Sequence, residues 1–227
     1  MDKYLKSSSK RSRSQYFLWE GKINVYNSEH LPEDIDIERI LKTLGERIPS
    51  HLLSGIESVL IGDFEHMREK EVDAMFEDGA IYIYPDYVHS EEDLQSDITH
   101  EIAHSLEEEY SSDIYGDGQI EREFIIKRNQ LFNALRANKA PFFPRDFFLN
   151  TDYSQEFDEY LYKVVGYPLL TSLTTNIFVS PYGATSLREY FANAFEEYFT
   201  GNIEYVKNIS PSIYQKIKNL SNIDEEG

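Results

Sequence analysis

Apolar positions along the chain follow two periodicities. In residues 17–26, 58–64 and 80–84 they alternate or cluster in short runs rich in β-branched and aromatic side chains, which predicts three strands, the last stopped by Pro85. Elsewhere they recur every three or four residues, which predicts helices. Ile37, Ile40, Leu41 and Leu44 mark one over residues 35–48, with Pro49 just past its end. Leu94, Ile98, Ile102 and Leu106 mark a second that starts at Ser90, with Glu91, Glu92 and Asp93 complementing the positive end of its dipole. Residues 120–137 and 155–165 predict two more. Leu187, Phe191, Ala194, Phe195 and Tyr198 give a further stripe over 187–200, closed by Gly201, and Ser210-Pro211 opens a last helix to Leu220. Residues 115–118 and 141–144 are turn or break signals, and the Thr-rich stretch 171–179 suggests a loop or short strand.

The helix that starts at Ser90 contains His100-Glu101-Ile102-Ala103-His104, an H-E-x-x-H run. Residues four apart on a helix share a face, so two imidazoles placed this way can grip one zinc ion. Glu101 then points to the open side of the ion, where it can take a proton from a water molecule that the cation has acidified. A charged amphipathic helix that carries two histidines by accident is the plain alternative. Glu107, Glu108 and Glu109 follow as a solvated helix end, unfavourable beside the negative end of the dipole unless a cation relieves them.

A catalytic zinc site needs a third protein ligand. His30, His51, His66 and His89 all precede the motif and none follows His104, so the expected ligand is a carboxylate on a later helix. Glu189 sits off the apolar stripe of residues 187–200, and Asn193 stands one turn on, placed to orient the ligand shell. An exposed helix carboxylate is the other reading of Glu189. Tyr182, one of 17 tyrosines, reads from chemistry alone as a loop aromatic.

The H-E-x-x-H helix together with Ser180-Pro181-Tyr182-Gly183-Ala184-Thr185-Ser186-Leu187-Arg188-Glu189-Tyr190-Phe191-Ala192-Asn193-Ala194-Phe195 resembles the family of gluzincin endopeptidases formed by the catalytic domain of anthrax lethal factor and the Pro-Pro endopeptidases. Tyr182 and Glu189 keep the family spacing, and Tyr-Phe-Ala-Asn-Ala-Phe follows the family's Phe-Phe-Ala-Glu-x-Phe. The likeness covers roughly residues 80–110 and 178–220. It implies one Zn²⁺ per chain on His100, His104 and Glu189, with Glu101 as general base and Tyr182 donating to the oxyanion or leaving group. Asn193 stands where the family has glutamate. The long interval between His104 and Glu189 implies an inserted helical element over about residues 115–165.

These readings combine into an α+β, zincin-like fold. A basic tail (1–14) precedes a single catalytic domain (15–227), with a small mixed sheet and the H-E-x-x-H helix in an N-terminal lobe (about 15–110) and a helical C-terminal lobe (about 111–220). The strand Ala80, Ile81, Tyr82, Ile83 and Tyr84 is expected at the sheet edge, where an extended substrate adds by backbone pairing. A formal charge of −19 opposes binding to nucleic acid or anionic lipid, which leaves protein or peptide as the expected partner. No apolar run reaches the ~20 residues of a membrane span. With neither a signal-peptide core nor cysteine, the chain is expected in the cytoplasm or exported by a route without a Sec signal. A cytosolic protease specific for one protein and a zinc-containing module that binds peptides without cutting them are the rival functions.

Overall fold

The structure is a computed structural model that describes residues 15–19, 23–28, 31–70 and 72–222. The basic tail expected over residues 1–14 lies outside them. The architecture is α+β, and the chain divides into two compact units, Met1–Leu106 and Glu107–Gly227. No helix among the described residues is long and apolar enough to cross a membrane.

The first unit is built on a five-stranded sheet: β1 (Gln15–Leu18), β2 (Ile23–Asn27), β3 (Ser58–Ile61), β4 (Ala74–Glu77) and β5 (Ala80–Ile83). Their spatial order is β1-β2-β3-β5-β4. The three central strands run parallel, and β1 and β4 close the sheet antiparallel to their neighbours. The single strand expected over residues 17–26 is therefore two paired strands, the first ending at Trp19, whose φ is +50°. Helix α1 (Ile37–Arg47) connects β2 to β3 and buries Ile37, Ile40, Leu41 and Leu44, while the short α2 (Glu65–Lys70) leads into β4.

Strand β5 is not the sheet edge. It pairs with β3 on one side and β4 on the other, so its backbone groups are already used, and Tyr84 lies past its end. The edge is β4, joined to β5 by Asp78-Gly79, both at positive φ (+50° and +77°) as a two-residue hairpin turn requires. On this edge Tyr84 N donates to Asp73 O at 2.9 Å, so alternation turns the N–H and C=O groups of Ala74 and Phe76 outward.

Helix α3 (Glu91–Glu109) carries the H-E-x-x-H run. Ser90 Oγ accepts from Asp93 N at 3.0 Å to cap its start, and Glu91 accepts from Asp36 N at 2.8 Å while pairing with Arg39, which ties α3 to the start of α1. Its stripe of Leu94, Ile98, Ile102 and Leu106 is buried, each such side chain contributing roughly 1.5–3 kcal/mol. Ser105 packs 3.6 Å from the position a Cβ on Gly55 would take.

The second unit is helical: α4 (Ser111–Tyr115), α5 (Gln119–Ala137), α6 (Arg145–Leu149), α7 (Gln155–Glu159), α8 (Tyr167–Thr174), α9 (Leu187–Thr200), α10 (Ile203–Ile209) and α11 (Pro211–Ser221). The helix expected over residues 155–165 is α only to Glu159 and then widens into a π-helical stretch, Tyr160–Gly166. Pro168, with no N–H, cannot supply the bond to Val164 that a continuing α-helix needs. The Thr-rich stretch expected as loop or strand supplies the end of α8, because Thr174 and Thr175 return their hydroxyls to the carbonyls of Leu170 (2.9 Å) and Thr171 (2.8 Å).

Two buried cations of α5 organise this unit. Arg128, fully buried between the rings of Phe124 and Phe157, donates to the carbonyls of Phe147 (2.9 Å), Asn150 (3.2 Å) and Thr185 (3.0 Å). Burial pulls its pKa down to about 9, which leaves the guanidinium charged at neutral pH. Lys127 donates to the carbonyls of Ile177 and Ile209. The two side chains thus fasten the irregular segments that lead into α9 and α11.

Gly45 makes room for the chain's one tryptophan. A Cβ there would lie 2.5 Å from Trp19 Cδ1, while Trp19 Nε1 donates to Leu41 O at 2.7 Å. Gly45→Ala is expected to displace the indole, cost about 1–3 kcal/mol in urea unfolding and shift Trp19 emission to the red. Unchanged emission and stability would contradict this packing.

Candidate metal centre

The two motif histidines lie one turn apart on α3, ring centroids 4.9 Å apart and inclined at 75°. Glu101 between them is 8% exposed and accepts a 2.6 Å hydrogen bond from the backbone N–H of Phe76. Phe76 is on β4, so an outward-facing amide of the sheet's free edge holds the carboxylate. Sequence reasoning missed Phe76 because the bond uses its main chain, although Asp78-Gly79 before a strand is the hairpin signal that could have revealed β4.

Glu189 is the third residue of α9, where Ser186 Oγ accepts from Glu189 N at 3.2 Å. Ser186-Leu187-Arg188-Glu189 fits the capping-box pattern, and a carboxylate in a first helical turn is favoured by the dipole. The stripe of α9 is buried through Phe191, Ala194 and Phe195. His100, His104 and Glu189 each offer one ligand atom, and these three atoms lie within 4.8 Å of one another. The donor set of two imidazole nitrogens and one carboxylate oxygen fits zinc, with three protein ligands and a further position left over, as a catalytic site requires.

The last residues of helix α3, from Glu107 on, belong to the second unit. Glu107, expected as part of a solvated end, has a side chain only 7% exposed; it accepts from Arg188 Nε at 2.6 Å and from the hydroxyl of Tyr115. The cation that relieves the acidic end of α3 is thus the residue next to Glu189. Burial lowers the Arg188 pKa, but the neighbouring Glu107 carboxylate outweighs it and the net direction is up. Burial, reinforced by Glu107, pushes the Tyr115 phenol well above its usual range.

Tyr182 opens a single 3₁₀ turn, Tyr182–Ala184, just before α9 and is 45% exposed. Asn193, 6% exposed, donates from Nδ2 to Glu189 O at 2.9 Å and accepts from Ser180 Oγ, which in turn takes Gly183 N at 3.4 Å. Its partners are thus the backbone of Glu189 and the turn that carries Tyr182. Gly183 lets that turn pack on α9, its position for a Cβ lying 3.6 Å from Asn193 Cβ. A second tyrosine stands in the field of Glu189: burial, the bond to Asp158 and, more weakly, the Glu189 charge push the Tyr153 phenol up to about 12. Leu187 N donating to Thr151 O at 2.8 Å holds that segment at the start of α9.

Comparison with protein-family models, with curated proteins and with solved structures found no match for this chain.

Removing Arg188 takes the cation from a nearly buried carboxylate, and removing Glu107 takes from the buried Tyr115 hydroxyl its acceptor. Glu107→Ala and Arg188→Ala are each expected to cost about 1–3 kcal/mol, and the double variant less than the sum, with a coupling of about 1 kcal/mol or more in a double-mutant cycle. Additive losses would show that the two residues act independently.

Proposed function

We propose that the chain is a zinc-dependent endopeptidase of the gluzincin type. The observation that carries this reading is the grouping of His100, His104 and Glu189, with a buried glutamate, Glu101, between the two histidines in sequence. The three side chains would hold one zinc ion per chain. When bound, zinc supplies Lewis acidity, polarising a peptide carbonyl and lowering the pKa of water.

Glu101, held by Phe76 N, takes the proton from the attacking water and passes it to the departing amine. Its buried setting excludes competing solvent and fixes its orientation. Tyr182 donates a hydrogen bond to the developing oxyanion, and Asn193 and Ser180 hold its turn in place. An extended peptide pairs with the edge of β4 through the outward-facing N–H and C=O of Ala74 and the C=O of Phe76, while Phe76 N stays with Glu101. The substrate thereby lies along the strand that positions the base.

The test is incubation with a diverse peptide library, with and without a zinc chelator. Chelator-sensitive cleavage is expected, and none under any metal load would contradict the reading. Glu101→Gln should retain zinc while kcat/KM falls by about 10²–10⁴-fold. Glu189→Ala should lose most of the metal by elemental analysis. Tyr182→Phe should lower kcat by about 10²-fold with zinc content unchanged, and an unaltered rate would return Tyr182 to a packing role.

A further inference from the structure

The second unit carries a cavity whose setting differs in charge from the rest of the chain. It measures about 200 Å³ and is walled by Phe132, Phe143, Phe148 and Tyr160, with Arg136 at its margin and Phe142 beside it, 85% exposed. An apolar cavity of about 150 Å³ is enough to hold benzene, so this one has room for a single large apolar side chain. Its walls are already in place. Phe143 stacks on Tyr160 at 4.2 Å, Phe132 meets Phe148 edge-on at 5.0 Å, and Tyr160 OH donates to Pro141 O at 2.8 Å. A preformed pocket spares a ligand most of the ordering cost of binding.

The electrostatics narrow the ligand. The chain has a formal charge of −19, yet residues 124–145 contain no Asp or Glu and five cations. Lys127 and Arg128 of these are buried, while Arg136, Lys139 and Arg145 are exposed. Arg136 and Arg145 flank the Phe132 wall, their guanidinium carbons 5.7 Å and 5.9 Å from its ring, and Asn129 Oδ1 fixes Arg145 at 3.1 Å. Of the neighbouring acids, Asp146 directly follows Arg145, Glu156 is exposed on α7, Asp158 accepts from the Tyr153 hydroxyl at 2.9 Å and Glu159 is paired with Lys163 at 3.1 Å. At physiological ionic strength the Debye length is about 8 Å, so the three nearby cations, not the distant net charge, set the field at the cavity mouth.

We propose that this cavity docks a peptide segment of a protein partner in which one aromatic or large aliphatic side chain is flanked by acidic residues. The apolar side chain enters between Phe132 and Phe143, covered by the exposed Phe142 ring. The acids meet Arg136, Lys139 and Arg145. A half-open cleft sized for one side chain favours a peptide anchor over a flat lipid surface. The proposal does not depend on the metal centre, and binding rather than cleavage is its readout.

The test is fluorescence anisotropy with the Glu101→Gln chain and labelled Asp-Glu-Phe-Asp-Glu, against Asp-Glu-Gly-Asp-Glu and Lys-Arg-Phe-Lys-Arg. Saturable binding of the first peptide is expected, at least tenfold weaker for the other two. Arg136→Glu and Phe142→Ala, both at exposed positions, should each weaken it at least fivefold with circular dichroism and zinc content unchanged. Absence of saturable binding, equal binding of the basic peptide, or indifference to both substitutions would overturn the proposal. So would displacement of the peptide by phosphatidylserine vesicles in a manner dependent on Arg136 and Phe142, which would assign the site to a membrane surface.

Discussion

The ion pair between Glu107 and Arg188 fixes, within the second unit, the residue beside Glu189. Glu107 stands three positions after His104 on α3, and Arg188 is the neighbour of Glu189 on α9. The pair joins these two residues at 2.6 Å, both of them within the second unit. Arg188 is 64% exposed, so the net stability from the pair is modest; its effect is on register, because a buried carboxylate accepts few placements of its partner. It also removes the penalty of an acidic residue at the negative end of a helix dipole.

Around this contact, the groups expected to do chemistry are held mostly by backbone partners. Phe76 N holds Glu101, Ser186 caps the turn that carries Glu189, and Asn193 bonds the Glu189 carbonyl while receiving Ser180. Behind them Arg128 takes the Thr185 carbonyl, so the segment between the Tyr182 turn and α9 is fixed from the core of the second unit. Each of these residues is thus constrained within its own unit by a separate element. Preorganisation of that kind is what orientation-dependent catalysis requires.

Features whose cause is local were legible in the sequence. Apolar spacing and end signals located α1, α3, α5 and α9 to within a few residues, and a four-residue spacing put His100 and His104 on one face. Features that depend on distant pairing were not. Strand β4 is too short to show a period, so β5 was read as the edge when it is interior. Glu107 looked like any acid in a run of three, since nothing local announces that Arg188 waits eighty-one positions away. The spacing of α9 sets Asn193 one turn beyond Glu189, but its partners, Ser180 and a carbonyl of its own helix, follow from the packing of the Tyr182 turn. The π-helical widening after Glu159 was foreshadowed only by Pro168.

X-ray absorption at the zinc edge of the purified chain, loaded with one equivalent of metal, reads the ligand set itself. A first shell of nitrogen and oxygen at about 2.0–2.2 Å is expected, with outer-shell scattering from two imidazoles that falls to one in the His104→Ala chain. Failure to retain zinc, or a shell without imidazole scattering, would contradict the grouping of His100, His104 and Glu189 as a metal centre.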